Sequence, residues 1–322
     1  MPNEKKPLPR ITLANLRPPY EDKLFFDYFL HAAENPFLHD AKGFELVNAW
    51  WLSEIATLAY SELAFVQQTL QEKAVQFDVT NFNTGGGTQC FVLSNEDFAV
   101  VAFRGTETSP RRGARPDFHE VFADILADAD VRPTASGPGA NVHHGFSAAV
   151  DEVWEGAGLK DFVSNLPSGT VWFTGHSLGA ALATLAAARS ERLDGLYTFG
   201  SPRVGDEGFA RAFSRHLSDR GVEYFRFVNN RDIVTTVPLT SIPPRVTFKH
   251  VGTLKHIDAR GQIHESSTLF ERLKNEVRSH LPLDAAGGLD PRFFDLIPNA
   301  LEDHVPTLYA THVWNAHVDE SE

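Results

Sequence analysis

The chain has 322 residues, 42% of them hydrophobic, a formal net charge of −13 at pH 7 and one cysteine, Cys90. That length supports a sizeable core without staples, and a lone cysteine excludes an internal disulfide. The acidic balance argues against nucleic acid and against anionic membrane surfaces as partners, since both select basic patches.

The N-terminus is charged (Lys5, Lys6, Arg10) but lacks a following apolar core, so it does not read as a Sec-type signal. No apolar run reaches spanning length. The expectation is a cytoplasmic protein without a transmembrane segment, although a secreted form trimmed of its signal reads the same. Residues 1–20 are proline-rich and read as an extended arm. Helical periodicity covers 21–31 and 44–72, with Trp50, Trp51, Ile55, Leu58 and Ala59 as a core-facing stripe. Alternation over 76–82, a break at Gly85-Gly86-Gly87 and a return at 89–93 predict a hairpin. The triple glycine lacks the lysine and strand-to-helix setting of a phosphate loop and reads as a turn. Cys90 falls in the returning apolar run, as a buried thiol.

Phe98–Phe103 is continuously apolar, the mark of a strand buried on both faces. A polar loop with Arg111, Arg112 and Arg115 follows. Phe118, Val121, Phe122, Ile125 and Leu126 then trace an amphipathic helix, either packed on the body or serving as a lid. A loop is expected at 133–141, leading into Val142–Phe146, and then a helix to about Trp154. Val171–Thr174 is a strand, Gly175-His176-Ser177-Leu178-Gly179 a sharp turn, and the alanine-rich stretch from Ala180 to about Arg189 a helix. Further strands are expected at 195–200 and 224–228, with a helix at 206–218 between them. Residues 246–251 and 253–257 read as short antiparallel strands. Helix 266–279, a Pro/Gly-rich loop at 281–300 and a last helix holding His304 complete the chain. Strands alternating with helices imply an α/β fold with a mostly parallel sheet. No repeat period appears, so 21–322 reads as one domain after the arm.

A G-x-S-x-G turn between a strand and a helix has the form of the nucleophile elbow of α/β-hydrolases. A serine at such an apex sits in strained backbone, and side chains two before and two after would collide, hence Gly175 and Gly179. A serine hydroxyl needs a base, which needs a third group to hold it. In this fold the order is serine, acid, histidine. The base is then sought among His216, His250, His256, His264, His280, His304, His312 and His317. Asp232, four residues beyond the strand ending at Val228, fits best as the acid, with Asp206 and Asp258 as rivals. An oxyanion hole needs two backbone donors. The N–H of Leu178 supplies one, and Thr106, after the early buried strand, is placed to supply the other.

These pieces resemble the fungal-type, or class 3, triacylglycerol lipase family of the α/β-hydrolase superfamily. The matching segments are Phe103-Arg104-Gly105-Thr106, Val142–Phe146, Gly175–Ala180, Gly200–Gly205, Asn230–Val234 and Asp303-His304 with Tyr309, in family order over roughly residues 75–315. The resemblance implies Ser177 as nucleophile, Asp232 as acid, His304 as base, Thr106 and Leu178 as the oxyanion hole, and Asp124 as support for the Thr106 side chain. It also implies a lid-like segment over the active site, here 107–126, longer than usual and carrying three arginines. The expected activity is serine carboxylic ester hydrolysis on triacylglycerols, through an acyl-enzyme, with no metal and no cofactor. The expected partner is an ester or lipid substrate at a lipid–water interface. A phospholipase, or an esterase on aryl or short-chain esters, would carry the same triad. A non-catalytic binding module would usually have lost one member. A histidine base must be neutral, so activity is expected to fall below roughly pH 6–7.

Overall fold

The computed structural model describes residues 3–12, 15–16, 18–84, 87–105, 132–137, 139–167, 169–238, 247–265 and 301–321. The amphipathic stretch 118–126, the lid-like segment 107–126, the helix expected at 266–279 and the loop at 281–300 lie outside these residues.

The apolar runs build the middle layer. Strands β1 (Asp78–Asn83), β2 (Gln89–Ser94) and β3 (Phe98–Phe103) pair antiparallel. From β3 the sheet continues in parallel through β6 (Thr170–His176), β7 (Gly195–Phe199), β9 (Tyr224–Asn229) and β11 (Thr253–Ile257). Strand β12 (Ile263–His264) closes the edge antiparallel. The order is β1-β2-β3-β6-β7-β9-β11-β12. Four shorter strands form a second sheet in the order β10-β8-β5-β4. They are β4 (Pro133–Gly137), β5 (Ala140–His143), β8 (Gly205–Asp206) and β10 (Phe248–Lys249).

Side chains alternate across the large sheet, so one strand feeds two cores. Val100, Ala102, Trp172, Tyr197, Phe199 and Phe227 pack on one face, against helices α1 (Leu46–Leu58), α2 (Leu63–Glu72) and the C-terminal α7 (Pro306–Ser321). Ala99, Val101, Phe103, Val171, Phe173 and Leu196 pack on the other, against α3 (His144–Asp151), α4 (Leu159–Ser164), α5 (Leu178–Arg189) and α6 (Glu207–Arg220). The parallel register sets Phe103 beside Gly175, His176 beside Phe199, and Phe199 beside Phe227. The carboxyl ends of β3, β6, β7 and β9 therefore open onto one edge of the sheet.

Several elements differ from the sequence reading. Residues 21–31 form turns, because Phe26, Tyr28 and Phe29 are all buried and cannot share one helical stripe. Phe29 has φ 52°, and its N–H donates to the buried Glu54 carboxylate at 3.3 Å. The stretch 44–72 breaks at 59–62 into two helices. Residues 133–143 form a bulged hairpin where a loop was expected. Strand β11 runs parallel to β9, so only its β12 partner is antiparallel. The N-terminal segment bonds to the C-terminal helix α7. Asn315 accepts the Lys6 N–H at 2.7 Å and donates to the Lys6 carbonyl at 2.9 Å, and the Trp314 indole donates to the Glu4 carbonyl at 2.9 Å.

Candidate active site

Ser177 stands between β6 and α5 with φ 58° and ψ −129°, a conformation that L residues rarely hold. Its N–H donates to the Phe199 carbonyl at 3.0 Å. A Cβ on Gly175 would run into the carbonyl of Gly179, and one on Gly179 into the carbonyl of Phe103. Both glycines are thus required by close approach: the first within the turn, the second where helix meets strand. Leu178 is the first residue of α5, where a backbone N–H has no acceptor inside the helix, and the helix dipole there favours negative charge.

Asp232 follows β9 through a turn in which Asn230 has φ 41°. It is fully buried and its carboxylate accepts three hydrogen bonds. Oδ1 takes the Val234 N–H at 2.9 Å, as the cap of the short 3-10 turn Ile233–Thr236. Oδ2 takes the Tyr309 hydroxyl at 2.5 Å and lies 2.8 Å from His304 Nδ1. His304 Nε2 lies 2.8 Å from Ser177 Oγ. A carboxylate can only accept, so Nδ1 carries the proton and Nε2 presents its lone pair to the serine. The three side chains come from loops after β6 and β9 and from the turn before α7, brought together across 127 positions of sequence.

The turn that carries His304 is fastened on several sides. The Asn229 side chain donates to the Asp303 carbonyl at 2.9 Å, and the Asn230 side chain and Arg231 N–H donate to the Asp303 carboxylate at 3.0 and 3.1 Å. Burial first, and the nearby Asp232 charge, raise the Asp303 carboxyl to about 6, against the pull of the Arg231 N–H. Tyr309 bridges the same region: its hydroxyl also accepts the Asn229 N–H at 2.9 Å. Burial and the adjoining Asp232 carboxylate keep that phenol well above its ordinary pKa, so it stays a donor.

The rival residues lie elsewhere. Asp206 caps α6 by accepting the Phe209 N–H at 2.9 Å and also takes the Asn141 side chain at 2.7 Å. Asp258 organises the β11–β12 turn, accepting from Arg260 and Gln262 N–H groups. His250, His256, His264 and His317 are engaged with Thr235, Asn230, Asp258 and Asn35 respectively. His280, Thr106 and Asp124 lie outside the described residues. Among the described residues no group of three His, Cys, Asp or Glu side chains is arranged to hold a metal, and no helix is long and apolar enough to cross a membrane. Two contacts were not anticipated from the sequence. His176, inside the G-x-S-x-G pentapeptide, bonds the His304 backbone, and Tyr60, at the end of α1, bonds His176. The first carried a signal in its place in the pentapeptide; the second carried none.

Residues 100–242 match the family described as Lipase (class 3). A lipase of Rhizomucor miehei is 39% identical over 139 residues, covering 39% of this chain and 36% of the relative. The secreted mono- and diacylglycerol lipase 1 of Fusarium solani is 37% identical over 202 residues, covering 60% of this chain and 54% of the relative. The chain thus spans about a third to a half of the length of these curated relatives. A solved Rhizomucor miehei triacylglyceride lipase superposes with a TM-score of 0.53 at 25% identity, covering 74% of this chain and 93% of that one. The Fusarium relative is named as secreted, which overturns the cytoplasmic expectation and points outside the cell. Cys90 is fully buried, and a core of this size needs no disulfide in either environment.

Proposed function

The chain belongs to the class 3 lipase family and has its α/β-hydrolase fold, and from that premise we propose that it hydrolyses carboxylic esters of acylglycerols through an acyl-enzyme on Ser177. The observation that carries the reading is the unbroken hydrogen-bonded path from Ser177 Oγ through the His304 ring to the buried Asp232.

In the first half-reaction Ser177 Oγ attacks the ester carbonyl carbon while His304 Nε2 takes its proton. Asp232 stabilises the imidazolium and holds it in orientation without accepting the proton. The carbonyl oxygen becomes an oxyanion, held by the Leu178 N–H and by the donor that the family resemblance assigns to Thr106, the residue after Gly105, with Asp124 assigned by the same resemblance as its support. Collapse expels the alcohol, which takes the proton back from His304. Water then attacks the acyl-serine, His304 again takes and returns a proton, and the fatty acid leaves. Each removed oxyanion donor is expected to cost about 10²–10³ in rate.

The test is a p-nitrophenyl ester series from short to long acyl chains, measured below and above the concentration at which the long esters aggregate. Ser177→Ala is expected to lose on the order of 10⁶ in kcat. Substantial hydrolysis by that variant overturns the reading. A jump in rate on aggregated long-chain ester identifies a lipase working at a lipid–water interface; smooth saturation with short-chain preference identifies a soluble esterase of the same chemistry.

A further inference from the structure

His176 is 2% exposed and lies one residue before Ser177, inside the nucleophile turn. Its Nε2 lies 2.6 Å from the backbone carbonyl of His304, and its Nδ1 lies 2.9 Å from the hydroxyl of Tyr60. A carbonyl only accepts, so Nε2 carries the proton. Burial, and then the neighbouring His304, push the imidazole well below its ordinary pKa, so the ring is neutral and Nδ1 is an acceptor. That leaves the Tyr60 hydroxyl as donor, and burial keeps this phenol protonated. The donors and acceptors thus run in one direction, from Tyr60 through His176 to the backbone of His304.

Tyr60 also sits where three parts of the site meet. It is 4% exposed, at the end of α1 and outside residues 100–242. Its hydroxyl fills the space that a Cβ on Gly105 would need, so it lies against the end of β3. It is 3.4 Å from the His176 carbonyl, at the turn itself. The His304 turn is otherwise tied by local backbone bonds to Leu301 and by the Asp303 contacts with the Asn229–Arg231 loop.

We infer that Tyr60 and His176 are positioning residues for hydrolysis: together they fix the backbone of the base His304 against the nucleophile turn and the end of β3. This rests on the ester-hydrolase reading above. Neither residue exchanges a proton with substrate, because both His176 nitrogens are engaged and the ring is closed to solvent. Their action is on geometry, where a misplacement of about 1 Å costs about 10²-fold in rate.

The test compares wild type, Tyr60→Phe, His176→Leu and His176→Gln on a soluble short-chain p-nitrophenyl ester. Burst titration counts the competent fraction, so that kcat refers to folded enzyme. Tyr60→Phe keeps the ring and removes one oxygen; it is expected to lower kcat about tenfold with KM within about twofold of wild type. His176→Leu is expected to lower kcat about 100-fold, and His176→Gln, whose amide can still donate to the His304 carbonyl, to recover about tenfold of that loss. The inference fails if Tyr60→Phe keeps kcat within about twofold, if the loss falls on KM, or if the glutamine variant is no better than the leucine variant. A wild-type enzyme that is not labelled at Ser177 by a phosphonate ester would instead sink the underlying ester-hydrolase reading. Labelled wild type with unimpaired Tyr60→Phe sinks the positioning pair alone.

Discussion

Asp232 shows how a single buried carboxylate is satisfied and aimed. Three donors surround it, and one of them, Tyr309, is shared with the Asn229 N–H at the end of β9. Tyr309→Phe removes one donor from the carboxylate and leaves the Asn229 N–H without its acceptor. The expected cost is about 1–3 kcal/mol of stability, together with a fall in kcat and little change in KM; chemical denaturation and initial rates check the two parts. Asp303 gives a signed pH prediction. Its carboxyl is raised to about 6 in the fold, so between the unfolded carboxyl's pKa of about 3.9 and that value the native state binds more protons than the unfolded chain. Its contribution to stability is therefore fully present below about pH 4 and is lost as pH rises through about 6. Asp303→Asn removes this dependence, so the stability of the variant relative to wild type should rise from pH 4.5 to pH 7.5. Unfolding curves at the two values measure it, and a difference that stays flat or falls with pH contradicts the assignment.

Among the elements, the sheet was legible where apolar runs were continuous, as in Phe98–Phe103, and where strand, glycine-bracketed serine and alanine-rich helix followed one another. The nucleophile turn can be read from sequence because its marks lie within five residues: a serine at positive φ, Gly175 required within the turn, and Gly179 required where the helix meets the end of β3. The acid and base are different. Asp232 had the better local argument, after the strand ending at Val228, but Asp206 and Asp258 stayed rivals until the assembled loops showed one capping a helix and the other organising the turn of a hairpin. Residues 21–31 misled because aromatic spacing that suits a helix was instead consumed by contacts with α1 and α7, including the stacking of His31 on Trp314 at 4.7 Å. Tyr60 left no trace in sequence, since its role depends on where α1 ends relative to β6. The N-terminal segment also belongs to this layer. Lys6 bonds Glu54 at 3.2 Å with the carboxylate fully buried, and its ammonium lies within 5.8 Å of the Trp50, Trp314 and Phe26 rings. Removing one partner of a buried pair strands the other charge. Lys6→Met is thus expected to destabilise by about 3 kcal/mol, read from denaturant midpoints.

At the level of the whole molecule, the parallel sheet converts separate segments into one chemical site. Register places the ends of β3, β6, β7 and β9 along one edge, so the nucleophile turn, the acid loop and the turn before α7 converge there. Two cores flank the sheet, and the helices α1 and α7 pack together on the face from which the base and Tyr60 approach. The most direct measurement of the central claim is titration with a p-nitrophenyl alkylphosphonate, followed by peptide mass mapping. The account predicts one equivalent of p-nitrophenol released per chain, activity lost in proportion, and the adduct on the peptide containing Ser177. Hydrolytic activity that survives complete modification of Ser177, or an adduct on another residue that tracks the loss, would contradict it.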